Sequence, residues 1–283
     1  EFEFWDSKRL KKENAGAFLA VLAADKHTHG GLVRITYNGG KKAKKKIALV
    51  GKGVCFDTGG YNIKTGNYML GMQQDMTGSA VALASLDFAY MTKLDVNIEL
   101  YLAIADNHIS PSAYKMNDVV FASNGKSIEI IHTDAEGRMV LADTLVIASK
   151  NKVDFIIDYA TLTGTCVSAV DSYRTGVFSN REELLEKSLK IARKSGELIW
   201  PFPTGQEYRK NLNSKVADLK QCLTKGAADH IYAATFLSEF VDPKIPWIHF
   251  DLSSHEHEGG LGLIPHAVTC FGVDWTMEFL RNF

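Results

Sequence analysis

The stretch KIALVGKGVCFDTGGYNIK, residues 46–64, joins a short apolar run to a glycine-rich loop. The run at 46–50 has the composition of a buried strand, and the loop after it carries Lys52, Asp57 and Lys64. In open α/β sheets, ligands collect at the carboxyl ends of the strands, where this loop would lie. The stretch therefore predicts a sheet strand that leads directly into a functional site.

The rest of the 283-residue chain alternates between strand-like and helix-like segments. Strands are predicted at 32–38, 46–50, 97–105, 127–131, 154–159 and 247–251, and helices at 78–91, 139–150, 180–194, 231–241 and 271–282. Asn180 is expected to cap the helix at 180–194 and Gly196 to follow its end, while NGG at 38–40 indicates a hairpin-type turn. This alternation predicts the α/β fold class, with one domain around a mainly parallel sheet.

Net charge narrows the range of partners. Lysine and arginine number 32 and aspartate and glutamate 33, so the formal net charge is −1 and offers no overall field for nucleic acid or anionic lipid. The lysine run at 41–46 is therefore interpreted as a solvated hairpin tip rather than a nucleic-acid contact. No apolar run reaches the roughly 18 residues of a membrane span, so no membrane partner is expected.

Cysteine usage bears on the cellular compartment. The four cysteines include no C-x-x-C pair, which argues against a zinc ribbon or a thioredoxin-like motif. The first residues contain no apolar signal-peptide region. We therefore expect reduced thiols and a cytoplasmic location.

Two further glycine-punctuated segments carry acids before a helix-like run. They are MQQDMTGSA at 72–80, with Asp75, and HTDAEGRMVLADTL at 132–145, with Asp134, Glu136 and Arg138. If 134–138 is extended, residues two apart face the same side, so two carboxylates and a guanidinium would form one row. Together with Asp57 and Asp75, the row supplies enough carboxylates for two divalent metals that share ligands. Taken alone, each segment is also typical of ordinary turn acids.

Other motifs in the sequence offer alternatives to this metal hypothesis. The glycine-rich loop does not fit G-x-x-x-x-G-K-[ST], and no G-x-G-x-x-G opens a helix, so a nucleotide site is not predicted. The cluster at 254–258 is not H-E-x-x-H and is interpreted as a polar loop. His132, beside the acids, is a candidate for orienting a metal ligand, and His249, inside an apolar run, is expected to be a core residue.

The motifs resemble the leucine aminopeptidase (cytosol aminopeptidase) family of dinuclear metallo-exopeptidases. HTDAEGRM at 132–139 nearly reproduces the family's N-T-D-A-E-G-R-L, and 51–64 follow G-K-G-x-x-F-D-S-G-G-x-x-x-K with Thr58 for serine. Residues 72–76 match M-x-x-D-M, and 160–164 match A-T-L-T-G. The resemblance implies a catalytic domain over 16–283, a three-layer αβα fold with a mixed, largely parallel sheet. Residues 1–15 would be a linker from an N-terminal domain.

The resemblance also implies the roles of individual residues. One metal would be held by Asp57, Asp134 and Glu136, and the other by Lys52, Asp57, Asp75 and Glu136. The metals would be zinc or manganese, with magnesium a further candidate. The catalytic residues would be Lys64 and Arg138, the latter holding a bicarbonate, and the substrate-binding residues would be Met72, Thr161, Leu162 and Gly164.

The function that follows from the resemblance is removal of the N-terminal amino acid, preferably a Leu-like one, from peptide substrates by a homo-hexamer. Two alternatives remain open. The first is a DNA-binding or regulatory protein that has kept the fold, which the intact ligand set and the net charge of −1 disfavour. The second is a dinuclear phosphoesterase, in which Lys64 and Arg138 would clamp a phosphate.

Overall fold

The computed structural model describes residues 1–24, 29–262 and 264–283. The strands are β1 (Phe2–Trp5), β2 (Gly31–Tyr37), β3 (Lys46–Asp57), β4 (Asn97–Asn107), β5 (Val119–Phe121), β6 (Ser127–Glu129), β7 (Phe155–Ala160), β8 (Thr175–Ser179), β9 (Ile199–Pro201), β10 (Leu219–Lys220) and β11 (Trp247–Asp251). The α-helices are α1 (Ser7–Lys12), α2 (Gly16–Leu22), α3 (Thr77–Met91), α4 (Glu136–Lys150), α5 (Gly164–Val170), α6 (Glu182–Ser195), α7 (Gln206–Arg209), α8 (Asp229–Ser238) and α9 (Val273–Arg281). Short 3-10 turns lie at Met72–Gln74 and Lys210–Leu212.

The central sheet has eight strands in the order β1-β2-β4-β3-β7-β11-β8-β9. The pairs β3–β4, β3–β7, β7–β11 and β8–β9 are parallel, while β1–β2, β2–β4 and β8–β11 are antiparallel. A separate small sheet has the order β10-β6-β5. The predicted α/β class with a mixed, largely parallel sheet is confirmed, although the strand predicted at 127–131 belongs to the small sheet.

Helices cover both faces of the central sheet, and β3 shows why. Ala48 and Val50 pack into a core cluster that includes residues of α2, α4 and α8. Ile47 and Leu49 face the other way, into a cluster that includes residues of α3, α6 and α9. A strand buried on both faces reads as an unbroken apolar run, which is the pattern that predicted it. The predicted three-layer αβα arrangement is confirmed.

The hairpin predicted at 38–40 is wrong. β2 pairs with β1 and β4, and β4 separates it from β3, so the NGG turn joins strands that are not neighbours. Because β3 is apolar on both faces, it takes a central position in the sheet rather than one beside the β2 edge. The lysine run after the turn is solvated as predicted, since Lys41, Lys42, Lys44 and Lys45 are exposed.

The residue predicted to cap the N-terminus of α6 is also wrong. α6 begins at Glu182, and its N-cap is Arg181. Asn180 instead joins backbone segments, because its Nδ2 donates to the Ile245 carbonyl at 2.8 Å and its Oδ1 accepts from the Trp247 N–H at 2.9 Å. Gly196 follows the helix with φ of 84°, as its sequence position predicted.

Two glycines allow α3 to lie directly on the sheet. A β-carbon on Gly51 would come within 2.5 Å of the Ser79 Cα, and one on Gly78 would collide with the Tyr159 carbonyl oxygen. This close approach fixes the start of α3, and with it the preceding turn that carries Asp75, beside β3.

Residues 1–15, predicted as a linker, include β1, which pairs with β2 at the edge of the central sheet. A role as a linker stays a prediction. None of the described helices is long and apolar enough to cross a membrane.

Asp143, on α4, connects two other chain segments to this helix by hydrogen bonds. Its Oδ2 accepts a hydrogen bond from the Phe18 N–H at 2.8 Å, and its Oδ1 accepts one from the Ser123 N–H at 2.7 Å. Asp143 is itself fully buried. The carboxylate therefore satisfies N–H groups that would otherwise lack an acceptor away from water.

We expect Asp143→Ala to lower the free energy of unfolding by about 1–3 kcal/mol for each N–H left without a partner. Urea denaturation followed by circular dichroism measures the loss. Asp87→Ala, at an exposed position of α3, is the matched control. A loss no larger for Asp143→Ala than for Asp87→Ala would contradict this role.

Candidate metal centre

The carboxyl ends of β3, β7 and β11 open into a cavity of about 560 Å³. Every site residue predicted from the sequence lines it: Lys52, Asp57, Lys64, Met72, Asp75, Asp134, Glu136, Arg138, Thr161, Leu162 and Gly164. The structure thus brings together residues from distant segments. Their individual roles remain predictions.

Three buried carboxylates form the centre of the cavity wall. Single oxygens of Asp57, Asp75 and Glu136 all lie within 4.8 Å of one another. The other oxygens Asp75 Oδ2 and Glu136 Oε2 are buried and accept no hydrogen bond from any described residue. Buried carboxylate oxygens without donors are costly unless a cation binds them, so this donor set fits divalent metal ions.

Lys52 lies between two of these acids. β3 continues past the predicted strand end at residue 50 to Asp57, so Lys52 projects from the strand rather than from a loop. Its Nζ is 2.6 Å from Asp75 Oδ1 and 3.0 Å from Glu136 Oε1, and it donates to the Thr161 carbonyl at 3.0 Å. Burial acts to lower the pKa of Lys52, but the surrounding carboxylates raise it above its ordinary value. Lys52 must lose a proton before its nitrogen can bind a metal.

Lys64 bridges a second pair of acids. Its Nζ lies 2.9 Å from Asp57 Oδ2 and 2.6 Å from Asp134 Oδ1. Burial opposes the charge of Lys64, yet these carboxylates raise its pKa. Burial would also raise the pKa of Asp57, but Lys52 and Lys64 hold it below its ordinary value. Lys64 is therefore a cation at the cavity wall, held by two predicted metal ligands.

The remaining acids show the excess of negative charge. Burial, with Glu136 and Asp57 nearby, raises the pKa of Asp75 to about 8 although Lys52 acts in the opposite direction. Burial and the charges of Asp57 and Glu136 raise the pKa of Asp134 to about 7. Four carboxylates face two ammonium groups, and added cations would neutralise the difference.

Other residues hold these ligands in place, and the sequence did not single them out. Asn107 Nδ2 donates to Asp57 Oδ1 at 2.8 Å and to the Thr133 carbonyl at 3.0 Å. The Gly59 N–H donates to the same Asp57 oxygen at 2.8 Å. Asn107 ends β4, the parallel neighbour of β3, so the sequence signal was a polar residue at a second strand end.

The row predicted for Asp134, Glu136 and Arg138 is wrong. α4 begins at Glu136, so Glu136 and Arg138 lie on a helix, where residues two apart point in widely different directions. Glu136 faces Lys52, whereas Arg138 forms an ion pair with Asp229. Burial acts to raise the pKa of Asp229, but the Arg138 guanidinium holds it below its ordinary value.

The histidines take different places. His132 lines the cavity, and its Nδ1 accepts a hydrogen bond from the Asp134 N–H at 3.3 Å, so it contacts a predicted ligand residue as expected. His249 is fully buried on β11 and its Nδ1 lies 2.6 Å from Asp158 Oδ1, which confirms a core position. His255 and His257 belong to no described group of metal-type ligands.

Comparisons with known proteins agree with this geometry. The model of the cytosol aminopeptidase family, catalytic domain, matches residues 1–276. The chain is 40% identical over 283 residues to a probable cytosol aminopeptidase of Persephonella marina, covering all of this chain and 56% of that protein. It is 40% identical over 280 residues to one of Wolinella succinogenes, covering 98% of this chain and 58% of that protein.

A probable cytosol aminopeptidase of Aquifex aeolicus is 38% identical over 286 residues, which cover all of this chain and 57% of that protein. The chain therefore spans little more than half the length of these curated relatives. The match to the family model and the shared sequence lead to one conclusion: the chain belongs to the cytosol aminopeptidase family and corresponds to its catalytic domain.

Proposed function

We propose that this chain hydrolyses the first peptide bond of peptides and releases the N-terminal amino acid, using two divalent metal ions. The observation that carries the proposal is the set of buried carboxylate oxygens of Asp57, Asp75 and Glu136 within 4.8 Å of one another. Two lysines border this set, in a cavity large enough for an amino-acid side chain. Family membership supports the same reaction class.

The metal ligands are proposed as two overlapping sets. One set is Asp57, Asp134 and Glu136, and the other is Lys52, Asp57, Asp75 and Glu136. Bound divalent ions would supply Lewis-acid chemistry, lowering the pKa of a water and polarising the substrate carbonyl. Nitrogen and oxygen donors suit zinc, and the oxygen-rich positions also suit manganese or magnesium.

Lys64 is the proposed donor to the developing oxyanion. Its side chain is 13% exposed, more than the 3% of Lys52, so it is the more accessible of these two lysines that line the cavity. A fixed cation aimed at a developing negative charge stabilises the transition state more than the ground state. Its present partners Asp57 and Asp134 would turn to the metals, which frees Lys64 to face the substrate.

The cavity wall supports a preference for Leu-like side chains. Met72 and Leu162 are half-buried and contribute apolar atoms to it. Asp251 holds the turn at 161–164 in place, because its Oδ1 accepts hydrogen bonds from the Leu162 and Thr163 N–H groups at 3.1 and 3.2 Å. A rigid apolar wall beside the metal centre suits an aliphatic side chain at the substrate N-terminus.

The oligomeric state and the cellular location are proposed from the family resemblance alone. We propose a homo-hexamer in the cytoplasm, in which residues 1–15 lead from an N-terminal domain. Light scattering of the purified chain measures whether this portion alone forms the hexamer.

The alternatives gain less support. A DNA-binding or regulatory protein would not need a buried acid cluster, and every predicted metal ligand lines the cavity. A phosphoesterase would need Arg138 free to clamp a phosphate with Lys64. Arg138 is instead buried and paired with Asp229, which disfavours that reaction.

Removal of metal should abolish peptide hydrolysis, and zinc, manganese or cobalt should restore it, because the proposed metals lower the pKa of the attacking water. The assay compares release of an aniline from leucine anilide with release of phenol from a phenyl phosphate, before and after chelation. Metal analysis of each sample is the control. Full activity after exhaustive chelation, or turnover of the phosphate alone, would contradict the proposal.

Lys64→Ala should lower kcat by about 10²–10³-fold, the usual effect of losing one oxyanion donor, and change KM much less. Metal content should be retained, because Lys64 is not a proposed ligand. Lys190→Ala, at an exposed position of α6, is the control. An emptied metal site in Lys64→Ala would mean that the roles of Lys52 and Lys64 are reversed.

Glu136→Gln should lose more metal than Asp75→Asn, because Glu136 is proposed to bridge both ions and Asp75 to bind one. A lost bridging charge leaves two dications less screened from each other. Metal stoichiometry per chain at matched free metal measures the difference, with thermal unfolding as a check on folding. Equal losses, or a greater loss in Asp75→Asn, would refute the bridging assignment.

A further inference from the structure

Arg138 lies beside the metal centre, and a carboxylate of the chain already occupies its guanidinium. Nη1 donates to Asp229 Oδ1 at 3.1 Å, and Nη2 donates to Asp229 Oδ2 at 2.6 Å. Nη1 also donates to the Gln221 carbonyl oxygen at 3.3 Å. The Nε atom is buried and bonds to no described residue. Both terminal nitrogens are thus engaged in the two-pronged geometry that arginine forms with carboxylates.

This pairing does not fit the bicarbonate that the family resemblance implies at Arg138. Bicarbonate is a planar anion with a carboxylate-like edge and would compete with Asp229 for these two nitrogens. Both residues line the cavity, but the Arg138 side chain is 2% exposed and that of Asp229 is 35% exposed, so Asp229 is the more accessible member of the pair. An incoming anion would meet a like charge before it reached the guanidinium.

We propose that Asp229 takes the place of this anion, so that the site carries its own carboxylate as the proton acceptor of the reaction. The inference rests on the proposed function. Four of the acids that line the cavity are assigned to the metals. A fifth, Asp251, has both oxygens occupied by donors of Leu162 and Thr163. Asp229 is the remaining acid among the described lining residues, and each of its oxygens keeps a lone pair beside its Arg138 donor.

The step assigned to Asp229 conserves protons. One Asp229 oxygen takes a proton from the attacking water while the water oxygen forms its bond to the peptide carbonyl carbon. The same proton then passes to the amine nitrogen as the C–N bond breaks, and Asp229 returns to the carboxylate. Arg138 holds the carboxylate at the cavity wall throughout.

The kinetic test compares the metal-loaded wild type with two variants in carbon-dioxide-depleted buffer, with and without added bicarbonate. Asp229→Gly removes the carboxylate and opens the guanidinium, whereas Asp229→Asn keeps the shape and removes the charge. Both should lose about 10²-fold or more in kcat, the usual effect of losing a general base. Bicarbonate should restore roughly tenfold or more of the rate in Asp229→Gly, and less in Asp229→Asn, where the amide still covers Arg138.

Wild type and the exposed-site control Asp87→Asn should show the same kcat with and without bicarbonate. Wild-type activity that rises with bicarbonate, or Asp229→Gly with the wild-type kcat, would overturn the proposal. So would a loss in Asp229→Gly that bicarbonate does not relieve, provided that its thermal unfolding and metal content match the wild type. In that case Asp229 only positions Arg138.

Calorimetric titration of the metal-loaded proteins with bicarbonate, at constant ionic strength, gives a readout independent of activity. Bicarbonate bound by the metals would be common to all variants, so an additional site should appear in Asp229→Gly alone. Equal binding by the wild type and Asp229→Gly would overturn the proposal. If no variant hydrolyses peptides, the proposed function fails, and the titration still decides whether Asp229 occupies the anion-binding edge of Arg138.

Discussion

The wall of the cavity is largely buried and carries an excess of negative carboxylate charge. The rest of the structure depends on how this charge is compensated. Asp57, Asp75 and Glu136 meet within 4.8 Å, while Lys52 and Lys64 are the ammonium groups that bind them. Charges taken out of water are costly unless opposite charges and hydrogen bonds compensate for them. The lysines compensate in part, and divalent metal ions would complete the compensation. The excess of buried negative charge, which is costly to the fold, would thereby favour the binding of divalent metal ions.

The sheet meets this demand by placing each acid at the end of a rigid element. β3 is buried on both faces and carries Lys52 and Asp57 at its carboxyl end. Gly51 brings α3, and the turn with Asp75 before it, against the same strand. Glu136 opens α4, where the helix dipole favours a negative charge. Packing of apolar surfaces therefore holds these acids close together, although their negative charges repel one another.

The sequence predicted the parts that depend on local pattern. The alternation of strand-like and helix-like segments predicted the α/β class, and the acids of three glycine-punctuated segments predicted a metal site. The three-layer arrangement and the substrate-binding residues were predicted from the family resemblance. Local sequence pattern gave wrong predictions where a contact between distant residues determines the position of a side chain. The direction of Arg138 depends on Asp229, which lies 91 residues away, and the place of Asn180 depends on the start of β11. Asn107 and Asp229 were missed because their roles follow from tertiary neighbours and not from any spacing in the chain.

The most direct test of the central claim is anomalous diffraction from crystals of this chain soaked with manganese. We expect two anomalous peaks per chain, both in contact with Asp57 and Glu136, with the Lys52 nitrogen turned from its carboxylate partners to a metal. No peak between these acids at saturating manganese, with Lys52 still paired to Asp75, would contradict it. The buried charge would then be balanced by the lysines and protons alone.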